Sequence, residues 1–216
     1  MGALATLAMD ADQIDLAKSY ATRAGSSVQG LSAKGLFALD EQDPISALSL
    51  FEQSLFQAPE DARSLVGKGL ALMSLGDQRA AAEAIERGAA RFEDHLGSWI
   101  AAGWARFLAG DLHQAREAFD RVVAIDPTFS EGHGGIAVLD AVAGQRDSAE
   151  QNSKLALRLD RSSMGGALAH SLLLEMSGDN AAADVVRSRA MAVPVGPRGE
   201  TLADLLSSRG SHLLRQ

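Results

Sequence analysis

Apolar and small residues recur along this chain at helical spacing, and the whole pattern returns every 34 residues. Residues 96–129 carry it most fully, as Trp99-x-x-x-Gly103, Gly110-Asp111, Ala115-x-x-x-Phe119 and Asp126-Pro127. One period earlier the same places hold Gly69, Gly76, Asp77, Ala81 and Ile85; two periods earlier they hold Gly35, Asp43, Ala47, Phe51 and Pro59. Later periods give Ala137, Gly144 and Ala149, then Ser171, Gly178, Asp179 and Ala183. Five units therefore run without a gap over residues 28–191. Each reads as two antiparallel helices, with small residues in the columns where two helices must approach closely. The Gly-Asp pairs at Gly76-Asp77, Gly110-Asp111 and Gly178-Asp179 predict the turn between them. Glycine there takes a left-handed conformation and aspartate caps the next helix. Asp43-Pro44 stands in that place in the first unit, with proline in the first helical turn. All five prolines fall at expected turns or in the tail, and no strand pattern is present.

The order Trp…Gly…Ala-x-x-x-Phe…Pro at this period resembles the tetratricopeptide repeat family. The resemblance covers about three quarters of the chain. The fourth and fifth units depart from it: His133 and Ala167 stand where the family often has Trp, and Ser153 and Arg187 where it has an aromatic or aliphatic residue. The resemblance implies an all-α, right-handed superhelical solenoid of antiparallel helix pairs. Its repeats would span residues 28–61, 62–95, 96–129, 130–163 and 164–191.

The two ends read differently. Residues 11–23 form one expected helix, with Ile14, Ala17, Tyr20 and Ala21 on one face. It resembles the second helix of a partial repeat over residues 1–27, for which residues 3–9 supply part of the partner. A chain that opens inside a repeat is either a whole protein or a piece excised from a longer one; both readings stay open. Residues 192–199, with Pro194 and Pro197, read as a linker. Residues 200–216 read as a C-terminal capping helix, with a capping box at Thr201-x-x-Asp204 and an apolar stripe of Leu202, Leu205 and Leu206.

In the tetratricopeptide family the first helix of each unit lines a concave groove where partners bind. The resemblance implies the inward columns: Ser32, Leu36, Leu39, Asp40; Val66, Leu70, Met73, Ser74; Ile100, Trp104, Phe107, Leu108; Gly134, Val138, Ala141, Val142; Leu168, Leu172, Glu175, Met176. Their spacing puts each set on one helical face. No Lys, Arg or Asn occupies these columns, which argues against a carboxylate clamp. The expected partner is a protein or peptide with a hydrophobic or amphipathic segment. The candidate contacts are Leu36, Leu39, Val66, Leu70, Met73, Ile100, Trp104, Phe107, Leu108, Val138, Leu168 and Leu172, with Trp104 and Phe107 as anchors. The competing reading is burial of the same residues, by a tighter superhelix, by the chain's own C-terminal helix, or in a homodimer or scaffold. Lys34, Lys68, Arg106 and Asp140 occupy columns that the family fills with apolar side chains. Either their stems snorkel to water or the helices are rotated and the inward set shifts by one position.

Composition narrows the function classes. A net charge of −8 and a pI near 5.1 argue against nucleic-acid binding, which rests on basic side chains. The chain has no cysteine, so it has no disulfide, thiolate metal site or cysteine nucleophile. No apolar run approaches the ~20 residues of a membrane-spanning helix. Met1-Gly2 through Thr6 fits the loose myristoylation pattern, but no basic patch supplies a second anchor. No signal-peptide layout opens the chain. A cytoplasmic location is expected, or a periplasmic one for an excised domain; abundant Ala and Arg over Lys suggest a GC-rich bacterium.

Candidate chemistry does not converge. His95, His113, His133, His170 and His212 have no metal-ligand spacing. Gly132-His-Gly-Gly135 has no preceding strand and no following Lys-Ser/Thr, so its glycines read as sites of close helix approach. The pairs Glu41/Asp43, Glu60/Asp61 and Asp10/Asp12 lie at turns or a helix start, where capping is expected. The sequence therefore predicts a non-enzymatic interaction module without cofactor or metal.

Overall fold

The computed structural model describes residues 13–92 and 94–192, together with Leu4. Among the described residues the secondary structure is helical: α1 (Ile14–Arg23), α2 (Val28–Asp40), α3 (Pro44–Gln57), α4 (Ala62–Leu75), α5 (Gln78–Phe92), α6 (Leu96–Leu108), α7 (Leu112–Ile125), α8 (Ser130–Val142), α9 (Arg146–Leu159), α10 (Met164–Met176) and α11 (Asn180–Met191). No described helix is long and apolar enough to cross a membrane. The expected capping helix at residues 200–216 and, apart from Leu4, the segment at residues 3–9 lie outside the described residues. Two compact units divide at residues 118 and 119, within α7.

The turns follow from local chemistry. Gly76 ends α4 at φ 89°, and Asp77 then accepts from the Ala80 N–H at 3.2 Å. Asp179 caps α11 through the Ala182 N–H at 3.1 Å. Asp43 caps α3 through the Ser46 N–H at 3.0 Å, with Pro44 in the first turn. One period before Gly76 stands Gln42, which takes φ 61° without the freedom of glycine. Asp61, one of the turn carboxylates, caps α4 through the Ser64 N–H at 2.9 Å.

In the first unit, size matching holds the helices together. Phe51 of α3 is fully buried, with Gly35 of α2 on one side and Gly67 of α4 on the other. A Cβ at Gly35 would lie 2.7 Å from the Phe51 ring, and one at Gly67 would lie 2.3 Å from it. Gly69 leaves room for Ile85 in the same way. Three turns after Asp43, the Ser54 hydroxyl donates to the Val28 carbonyl at 3.1 Å and accepts from the Ser64 hydroxyl at 2.8 Å. That buried pair ties α3 to both neighbours without an unsatisfied group.

The second unit repeats the device with other residues. Phe119 packs on Gly135, Val122 on Gly132, and Ala156 on Gly166. Gly134 of α8 meets the backbone of Gly165 and Gly166 of α10, with a would-be Cβ only 2.7 Å from the Gly166 nitrogen. The glycines of the 132–135 stretch therefore permit close helix approach, as their setting in the sequence suggests. Glu131 adds a link between repeats by accepting from the Met164 and Gly165 N–H groups at 2.7 and 3.1 Å. These are orphan donors of α10's first turn, satisfied from another helix.

Candidate protein-binding faces

In the first unit the expected inward columns lie at the margin of the core. Leu36 and Leu39 are half-buried against a cluster of Ala38, Ala47, Phe51 and Ala71. Leu70 and Met73 lean on Ala82, Ile85, Ala102, Ala105 and Ala118. Val66, Ile100, Trp104 and Phe107 are also half-buried, and Leu108 is 54% exposed. Trp104 and Phe107 form an edge-to-face pair with centroids 5.8 Å apart. Such a pair fixes both rings and leaves apolar surface partly open. Ser32 is the exception in these columns, being buried at 1% exposure.

The second unit departs from the expected groove. Val138 is 1% exposed, and Gly134 and Ala141 are buried as well. Gly134 lets α10 approach α8 closely, and Val138, one turn further along α8, is enclosed. Val138 therefore offers no surface to a partner in this structure. Leu168 is 37% exposed, Val142 51% and Met176 47%, while Leu172 is half-buried on Ala141, Ala149 and Leu173.

The four polar residues in expected apolar columns bond to neighbouring elements rather than reaching for bulk water. The Lys34 ammonium donates to the Gly25 carbonyl at 2.8 Å, and Lys68 pairs with Glu52 of the preceding helix at 3.0 Å. Arg106 has a side chain 13% exposed and bridges Glu86 and Asp111. Burial alone would lower its pKa, but the hydrogen bonds and charges of Glu86 and Asp111 outweigh that and raise it. Asp140, at 1% exposure, accepts from the Ser148 hydroxyl at 2.6 Å and from the Asn152 amide at 3.4 Å. Each of the four side chains thus meets a partner in a neighbouring element, while the buried Arg106 Nε has none among the described residues, an arrangement that residue type and spacing alone do not reveal.

Other charged groups serve structure. Glu60 joins Arg87 and Arg91 of α5 at 2.8 and 2.7 Å, and hydrogen bonds from Arg91 and then Arg87 hold its pKa below the ordinary value. His95 caps α6 by accepting from the Ser98 N–H at 3.2 Å, and His133 reaches the Pro127 carbonyl at 2.9 Å. His113 lies beside Glu117 on the surface; His212 lies outside the described residues. Sequence reasoning missed Phe56, which is 90% exposed on α3. Its signal was available: the same column holds Thr22, Ala90, Ala124 and Arg158, so no repeat contact calls for an aromatic there.

A repeated pair of antiparallel helices with apolar faces defines a helical-repeat fold. The tetratricopeptide repeat profile matches residues 32–87 and 66–128, just under half of the chain. Residues 32–128 are thus similar to the tetratricopeptide repeat family, whose members are non-enzymatic scaffolds that bind proteins. No curated protein sequence matches it. Solved structures agree on the fold. TTC0263, a thermophilic TPR protein of Thermus thermophilus, has a TM-score of 0.64 at 23% identity, covering 87% of this chain and 100% of that one. The pilF structure from Pseudomonas aeruginosa has a TM-score of 0.68 at 16% identity, covering 92% of each chain. MamA residues 41-end from Desulfovibrio magneticus RS-1 has a TM-score of 0.61 at 16% identity, covering 76% of this chain and 93% of that one. At these identities the likeness concerns the fold alone.

Proposed function

We propose that this chain is an adaptor or chaperone-like module that holds a hydrophobic or amphipathic protein segment on the first-helix faces of its N-terminal unit. One observation carries the reading: the Trp104–Phe107 pair stands half-open beside Leu108, in columns without Lys, Arg or Asn. Aromatic anchors in a partly desolvated setting dominate interface energetics. Met73, in the equivalent column to Phe107, adds an adaptable contact. A largely apolar face whose one charged column residue is Asp40, on a chain of net charge −8, suits a partner with an apolar stripe and basic flanks.

The test is a titration of tryptophan fluorescence with a Leu/Lys amphipathic peptide that lacks aromatic residues. Trp99 remains as a reporter in Trp104→Ala. That variant should bind at least about tenfold more weakly with unchanged helicity. Equal binding by Trp104→Ala and by Leu108→Lys would refute the reading.

A further inference from the structure

The outward face of α3 is unlike that of the other second helices. Phe56 is 90% exposed and Ile45 is 71% exposed, the two most exposed large apolar residues among those described. Eleven residues, or close to three helical turns, separate them, so they share one stripe. Ser49 and Glu52 lie between them on that stripe, and Glu52 is the helix's one ionisable residue. By contrast, α5 carries Arg79, Glu83, Glu86, Arg87 and Arg91. Low charge and exposed aromatic side chains mark protein interfaces.

We propose that the α3 face is a self-association surface, occupied by α3 of a second copy in an antiparallel, two-fold pairing. The stripe is complementary to itself. A two-fold axis midway between Ile45 and Phe56 sets Phe56 against the partner's Ile45. The same axis sets Glu52 against the partner's Ser49, so no like charges meet. Two copies of net charge −8 repel each other, and a nearly neutral face is where that repulsion is least. Beside Phe56 lies a recess of about 400 Å³ lined by Ser26, Leu31 and Gln53, which leaves room for an incoming side chain. One helix pair buries less than the ~1,600 Å² of a standard interface, so the association is weak and reversible.

Sedimentation of the full chain from about 10 μM to about 1 mM reads this directly, because weak dimers populate in that range. The mass should rise towards that of two copies. Phe56→Glu should raise the dissociation constant at least about thirtyfold with helicity unchanged, and Ile45→Lys should act likewise. Ser49→Lys, facing Glu52 of the partner subunit, should tighten the dimer, while Ser49→Glu should weaken it. A monomer at the highest concentration overturns the proposal. So does a dimer indifferent to Phe56→Glu, or one on which Ser49→Lys and Ser49→Glu act alike. Dissociation by Trp104→Ala but not by Phe56→Glu would place the contact on the first-helix faces and also overturn it.

Discussion

The ring of Phe51 closes against the backbone of Gly67 so tightly that a Cβ at residue 67 would lie 2.3 Å from ring carbons Cε1 and Cζ. In an ordinary exposed helix position, glycine to alanine stabilises by up to about 1 kcal/mol. Here the sign reverses. Gly67→Ala should cost about 1–3 kcal/mol through overpacking, read as a lower melting temperature. Phe51→Leu in the same chain should recover part of that loss, and a double-mutant cycle should show strong coupling between the two sites. Additive effects would contradict the contact.

Gln42 gives the opposite expectation. It holds φ 61° in the column where Gly76, Gly110, Gly144 and Gly178 hold φ of 74–89°. Gln42→Gly should therefore stabilise the chain by about 0.5–1 kcal/mol, because the strain of a side chain in the left-handed region exceeds the entropy that glycine adds to the unfolded state. Denaturant midpoints of the two proteins decide it.

Val138 and Leu168 both occupy expected inward columns, yet they should respond differently to charge. Val138→Asp buries an unpaired carboxylate at a 1% exposed site and should cost roughly 3 kcal/mol or more. Leu168→Glu, at 37% exposure, should cost roughly 1 kcal/mol or less. Thermal unfolding by circular dichroism separates them, and similar losses would mean that Val138 is not enclosed.

Acid should weaken the fold through its turns. Side-chain and then backbone hydrogen bonds from Thr128 lower the pKa of Asp126, and those from Ser162 do the same for Asp160. A carboxylate lowered in the folded state contributes stability that is present above its unfolded pKa and is lost as pH falls through the folded one. For these aspartates the loss begins near the ordinary value of 3.8 and continues below it. Asp160→Asn keeps an acceptor but cannot titrate, so its stability should fall less steeply between neutral pH and the acid range. Parallel pH profiles for Asp160→Asn and the natural chain would refute this assignment.

The helix pairs and their turns were legible because local chemistry was written repeatedly at a constant spacing. Gly76-Asp77 and Asp43-Pro44 specify a stop and a start wherever they occur, and the 34-residue return of small residues places the close contacts. Five units averaged out the departures at His133 and Ser153. The face available to a partner was legible only by column, and a column does not fix exposure. Val138 and Leu168 look equally apolar in the sequence, but Gly134 lets α10 approach α8 backbone to backbone and Val138 is covered.

By itself, then, the sequence determined the all-α fold class, the period and the caps, because each depends on a residue and its near neighbours. Only the tertiary structure decided that Arg106 bridges Glu86 and Asp111, that Asp140 rests on Ser148, and that Phe56 stands open while Phe51 is enclosed. Those outcomes depend on the size and polarity of side chains one helix away. The facing residues lie as much as one full repeat apart in sequence, as Glu131 and Gly165 do, and no local pattern records which of them meet.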